Sequence, residues 1–249
     1  MAKIISFSIY KGGTGKTTSA VNTAAALAER GKRVLLVDLD QQAQATKYVG
    51  IDPDTSPLNV AQVFIQNIPL RLAIQKTAFG FDLVAANDVL SAVEAMLESG
   101  KDEGLLREKL ESVGAEYDYI LLDTPPGKDK LTFNALVAAN QIVVPVSAEK
   151  AAIDGLADLI KHLHTVLWPK YDIDQDIYIL FTMYKAGTSH SPGIVKSAKR
   201  IYRDNVLEVV VPEAIAFPRS YDARQPMTVF APSHAGTKAY QELAAWLTR

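Results

Sequence analysis

Short apolar runs recur along the chain, and between them apolar positions return every third or fourth residue. The runs at residues 3–9, 34–37, 81–85, 119–122, 141–146, 177–182 and 206–211 predict strands. Runs such as Val34 to Val37 carry no alternation, so both faces of the sheet should be covered, as in parallel sheets. The 3.6-residue spacing predicts helices over 16–30, 60–65, 89–97, 105–113, 151–166, 193–203 and 235–247. Gly31 should end the first as a left-handed cap. Residues 52–57 are turn-rich. Strand and helix alternate, which predicts an α/β fold: a doubly wound, mainly parallel twisted sheet with helices on both faces, in one domain over 1–249. No internal repeat or linker interrupts it.

Composition narrows the chemistry. With 249 residues and 48% apolar content, the chain can bury a large core. A net charge of −2 excludes a wholly basic nucleic-acid binder, so any DNA contact would come from a local patch. The absence of cysteine excludes disulfides, iron–sulfur clusters and thiolate zinc sites. Four scattered histidines make no metal cage. No stretch approaches the ~20 apolar residues of a membrane span, and the first strand begins at once, which fits no signal peptide. The expectation is a cytoplasmic protein.

Residues 11–18 read KGGTGKTT between a predicted strand and a predicted helix. This is a phosphate-binding loop. Gly12, Gly13 and Gly15 let backbone N–H groups turn around a polyphosphate, together with those of Thr14 and Thr18. Lys16 is placed for the β- and γ-phosphates and Thr17 for Mg²⁺. The helix N-terminus adds its positive end. Asp38 and Asp40 leave one strand and Asp123 another, at the strand ends where ligands bind in such sheets. An Asp near the γ-phosphate can orient or deprotonate a water, and Asp123 suits Mg²⁺. Residues 38–46 and the Pro-rich 123–127 are candidate switch loops, ordered by the γ-phosphate and released by hydrolysis. Lys11 cannot share the phosphate ring with Lys16 without like-charge cost, so it is free to point toward a second polyanion.

KGGTGKTT, VLLVDLDQQAQAT and YILLDTPPG resemble the deviant-Walker partition ATPases, ParA and its relatives, and the likeness extends to RQPMTVFAPSHAGTKAYQELA near the end. The resemblance is to the short, Soj-like type, including the McdA-like branch that positions carboxysomes. It implies ATP and Mg²⁺ as cofactors and an ATP-sandwich homodimer in which Lys11 reaches the partner's phosphates. It implies that Lys16 and Thr17 act in their own subunit, that Asp40, with Asp38, serves hydrolysis, and that Asp123 serves Mg²⁺. It further implies nonspecific nucleoid DNA as a partner, and a ParB-like or organelle-adaptor protein that triggers hydrolysis. The cargo would be a plasmid, a chromosome or a protein organelle. Met183 and Pro212 fall where the family flanks the adenine.

The sequence also departs from the family. Gln41 and Ala43 stand where DPQG has proline and glycine, which predicts a looser first switch. Lys128 and Lys130 add charge near the expected dimer seam, and Lys150 is an unusual base there. The DNA surface is read from Lys196, Lys199, Arg200 and Arg203, one face of a predicted helix at i, i+3, i+4 and i+7, with Arg219 and Arg224 in a later loop. Residues 212–216, PEAIA, lack the arginines that relatives place there. A MinD-like membrane-cycling ATPase is the alternative. It needs a basic amphipathic tail, whereas Tyr240, Leu243, Ala244 and Leu247 form a stripe that reads as docked. Amidoligase relatives work without a lysine in trans, so Lys11 speaks against them.

Overall fold

A computed structural model describes residues 2–249, apart from the side chains of 150–152. In chain order the elements are β1 (Lys3–Phe7), α1 (Lys16–Glu29), β2 (Val34–Asp38), α2 (Gln44–Tyr48), α3 (Val60–Ile65), β3 (Ile74–Lys76) and β4 (Asp82–Val84). There follow α4 (Leu90–Met96), α5 (Leu105–Glu111), β5 (Tyr119–Asp123), α6 (Lys130–Ala138), β6 (Gln141–Ser147), α7 (Lys150–His162) and α8 (Trp168–Tyr171). The chain ends with β7 (Asp176–Tyr184), α9 (His190–Tyr202), β8 (Val206–Pro212), α10 (Ala216–Asp222), α11 (Met227–Phe230) and α12 (Ala235–Leu247).

One eight-stranded sheet runs in the order β3-β4-β2-β5-β1-β6-β7-β8. Every pairing is parallel except the β3–β4 edge. The strands alternate their side chains between two covered faces, as the unbroken apolar runs predicted. Leu36 and Leu121 pack with Ala20, Ala24 and Leu27 of α1 and Leu243 of α12. Their neighbours Leu35, Val37, Ile120 and Leu122 pack on the other side with Val63, Val93, Leu110 and Ala135. Each fully buried leucine contributes roughly 1.5–3 kcal/mol, so the strand ends that carry the acids are held by a rigid platform. Register brings those acids together, because Asp38 lies opposite Asp123, and Asp123 opposite Phe7 at the end of β1.

The sheet and most helices lie where the pattern predicted, with shifts at the ends. β1 stops at Phe7, and Ser8 and Ile9 enter the loop. The helix predicted over 151–166 is α-helical only to His162 and continues as a π turn, Leu163–Leu167. Periodicity missed α6 because Leu131, Thr132, Asn134, Ala135, Leu136, Val137 and Ala138 are all buried. A helix enclosed on every side shows no polar stripe. It missed β3, α2 and α11 because each is too short to establish a period, and it missed α10, which carries Pro218 in its first turn. The predicted arginine face ends early: α9 stops at Tyr202, and Arg203 turns off with φ 47°.

Candidate nucleotide site and its switch loops

The loop after β1 closes on the N-terminus of α1. Gly13 and Gly15 have φ of 72° and 85°, a region side chains rarely enter, so glycine is required for the turn. The Thr14 carbonyl accepts a hydrogen bond from the Thr182 hydroxyl of β7 at 2.8 Å, which ties the loop to the sheet. The loop encloses a cavity of about 280 Å³ lined by Gly12 to Thr18, Asp40, Gln44, Pro126 and Met183. A second, more apolar cavity of about 550 Å³ shares Gly15, Thr18 and Met183 with it and adds Pro212, Ile215, Phe217 and Tyr240. The structure therefore brings the expected loop residues, Met183 and Pro212 to one continuous cleft. Met183 itself has φ 51° and is 38% exposed, a strained backbone at the junction of the two cavities.

Lys16 is 7% exposed, and its Nζ donates to the Lys11 carbonyl at 3.3 Å. Burial pulls its ammonium below the usual lysine range, and the charges of Asp123 and Asp40 oppose that. Asp123 is fully buried, and its carboxylate oxygens make no well-formed hydrogen bond within the protein, with the Thr17 hydroxyl as the one donor close enough to act on them. Its pKa is pushed well up, first by burial and then by the charge of Asp38, while the Thr17 hydroxyl and then Lys16 pull the other way. A buried carboxylate so poorly paired costs free energy. It is the donor a hard cation lacks, and Thr17 stands on the first turn of α1 beside the same cavity. Among the described residues no three His, Asp or Glu side chains cluster to hold a metal. Mg²⁺ bound through one or two protein oxygens, phosphates and water does not need such a cage. The residues fit the ion.

Asp38 takes a different place from the one expected of a hydrolytic group. One of its oxygens accepts from the Asp40 N–H at 3.1 Å, and the other from the Thr46 N–H at 2.9 Å and hydroxyl at 2.7 Å. Burial raises its pKa to about 6. It does not line the cavity, and it serves as the staple that folds residues 38–46 back on β2. Asp40 does line the cavity, with one oxygen held by the Gln42 N–H at 2.9 Å. Thr46 adds a link that the sequence did not announce: its hydroxyl oxygen accepts from Ala86 N–H at 3.0 Å, beyond β4. These bonds tie residues 38–46 to the end of β2 and to the segment after β4. Ala43, in the family's glycine position, still adopts φ 52° and is buried.

The second switch is tied at both ends. The Thr124 hydroxyl donates to the Phe7 carbonyl at 2.9 Å. Glu94 of α4 accepts from the N–H groups of Lys130 and Leu131, at 2.6 and 3.1 Å, and so caps α6. The Lys130 ammonium turns to the Glu94 and Leu97 carbonyls at the end of α4. It is therefore engaged at that helix end and does not add free charge to a seam. Lys150 lies outside the described side chains.

The DNA candidates do not form the continuous stripe predicted. Lys196, Lys199 and Arg200 share α9, but Lys199 is paired with Glu208 at 2.7 Å. Lys185, upstream, is paired with Glu213 at 3.1 Å. Arg203 has left the helix. Arg219 lies on α10, and Arg224 follows it, exposed beside the first switch in a cavity with Gln41, Gln42 and Lys47.

A strand, a glycine loop that opens a helix, and acids at neighbouring strand ends define a P-loop nucleotide-binding protein. Comparison with known proteins agrees. The AAA domain family AAA_31 matches residues 2–174. The sporulation initiation inhibitor protein Soj of Bacillus subtilis is 34% identical, with 98% of this chain and 97% of that protein aligned. The chromosome partitioning protein ParA of Myxococcus xanthus is 31% identical, with 100% and 89% aligned. The crystal structure of cobyrinic acid a,c-diamide synthase from Mycobacterium smegmatis, with bound ADP and magnesium, superposes with a TM-score of 0.87 at 30% identity, over 100% of this chain and 95% of that one. The chain belongs to the ParA/Soj family of P-loop partition ATPases.

Proposed function

We propose that the chain binds and hydrolyses ATP with Mg²⁺, closes as a homodimer around two nucleotides, holds nonspecific nucleoid DNA in that state, and lets go when a partner protein stimulates hydrolysis. The cycle would distribute a cargo such as a plasmid, a chromosome or a protein organelle like the carboxysome. The single observation that carries this reading is the pair of lysines at one loop. Lys16 is buried beside Asp123 and Asp40, while Lys11 sits half-exposed at the mouth, free to serve a second phosphate group.

The residues divide the work as follows. N–H groups of residues 12–18 and the Lys16 ammonium neutralise the polyphosphate. Thr17 and Asp123 would hold Mg²⁺, which supplies positive charge to the phosphate oxygens. Asp40 faces the cavity and orients the attacking water. Asp38 keeps Asp40 in place through its N–H. Met183 and Pro212 border the apolar cavity that suits a nucleobase.

Several features support the partition reading over its alternatives. Lys11 speaks against the amidoligase reading, because amidoligase relatives work without a lysine in trans. The stripe of α12 packs on α1 and β8, with Tyr240, Leu243, Ala244 and Leu247 buried, so that face is not available to a membrane. No helix among the described residues is long and apolar enough to cross one. The test is retention on random-sequence DNA and on anionic liposomes, each with ATP, ADP or no nucleotide. DNA retention only with ATP is expected. Lys196 and Arg200 on α9, with Arg219 and Arg224 elsewhere on the surface, would neutralise a few phosphates, so affinity should fall steeply with salt, by about 0.9 log units per log unit for each contact. A flat salt response, or retention on liposomes alone, would refute the DNA reading.

A further inference from the structure

Tyr10, the residue before Lys11, has an environment that nucleotide binding does not explain. Its hydroxyl lies 2.8 Å from Nδ1 of His162, on the last turn of α7. The Lys128 ammonium, from the proline-rich second switch, sits 5.2 Å from the centre of its ring. Phe133 of α6 holds the His162 ring edge-on, with centroids 4.8 Å apart. One side chain thus touches or is braced by α7, α6 and the second switch.

The same helix shapes the path of Lys11. Gly155 faces it so closely that an added Cβ would lie 3.5 Å from the Lys11 Cβ and 3.8 Å from Ile9. Positions 155 and 162 are seven apart, so they share one face of α7. That face receives the loop mouth at two points, with Tyr10 held at one and Lys11 passing over the other. Glycines follow Lys11 at 12 and 13 and cannot restrain it. The lysine's four-carbon stem does not set a direction either. What remains to aim it is the residue on its other side. Burial, then the charge of Asp158, raises the Tyr10 phenol above its usual range, which keeps it a donor. Burial, then Lys128, lowers His162, which keeps its ring neutral and able to accept.

We propose that Tyr10 is a positioning residue for Lys11: pinned through its hydroxyl to His162 and through its ring to Lys128, it sets the direction in which the lysine leaves the loop toward a second bound nucleotide. This rests on the sandwich-dimer reading above. It also makes the contact a joint between the loop mouth and the second switch, since Lys128 lies directly after residues 123–127 on the segment that joins β5 to α6.

The test compares full-length Tyr10→Phe and His162→Phe with the parent, all in an Asp40→Ala background to block turnover. Sedimentation velocity at saturating Mg-ATP gives the dimer constant, and a fluorescent ATP analogue at low protein concentration gives monomer affinity. Each variant should weaken the dimer by about three- to tenfold, the loss of one hydrogen bond, with monomer affinity unchanged. The double variant should be no worse than either single one, because both remove the same bond. His162→Gln, whose amide oxygen can accept the phenol proton, should recover most of the loss. Parental dimer affinity in both single variants, or losses that simply add, would overturn the proposal. A parent that stays monomeric would overturn the sandwich reading itself, visibly and before any tyrosine variant is compared.

Discussion

Lys11→Ala is expected to bind ATP, remain a monomer, and lose hydrolysis by about 10³-fold, the scale of a catalytic cation supplied in trans. The two lysines differ in surroundings. Lys16 is 7% exposed and already faces the acids of its own site. The substitution at residue 11 keeps the backbone carbonyl that holds Lys16, so the subunit's own phosphate site should survive. What disappears is a flexible cation at the loop mouth, useful only to something outside the ring. Light scattering with and without Mg-ATP, combined with phosphate release, checks both halves. Normal dimerisation of the alanine variant would remove the cross-subunit role.

Asp123→Asn should move stability and function in opposite directions. Asp123 is buried with no well-formed hydrogen bond to either oxygen, and its pKa in the fold lies well above the unfolded carboxylate value. A group raised in this way stabilises the fold least when ionised. Its contribution is fully present below the unfolded value and is lost as pH rises through the folded one. At neutral pH the nucleotide-free protein therefore carries a net cost, which Thr17 and Lys16 offset only in part, and asparagine, uncharged, relieves it. The apo variant should melt about 2–4 °C higher for each kcal/mol relieved, and its stability should vary less with pH between the two values. With Mg-ATP the order should reverse, because the carboxylate proposed to hold the ion is lost and ligand stabilisation falls with affinity. Thermal melts with and without Mg-ATP read both effects. An apo variant less stable than the parent would show that the carboxylate is satisfied in the fold.

Much of this was legible in the sequence for physical reasons. Unbroken apolar runs announced a sheet covered on both faces, and the loop motif with acids at strand ends fixed where chemistry would lie. Periodicity could not see α6, whose surroundings are apolar on nearly every side. Spacing could not separate Asp38 from Asp40. Asp38 ends β2 and Asp40 follows two residues on, and only the fold shows that Thr46, eight residues after Asp38, occupies Asp38 while Asp40 faces the cavity. The basic stripe of α9 was read without its partners. Glu208 and Glu213 lie on or next to β8, beyond the end of α9, and no helical spacing brings them to Lys199 and Lys185. Tyr10 and His162 are 152 residues apart and meet only because α7 packs beside the end of β1.

The most direct measurement is the molecular mass of Asp40→Ala at saturating Mg-ATP, by sedimentation velocity. Asp40 lines the cavity, and alanine there should stop hydrolysis while leaving the loop and both lysines intact. A dimer with ATP and a monomer with ADP is the expected result. A single subunit in both nucleotides would contradict the shared, face-to-face site.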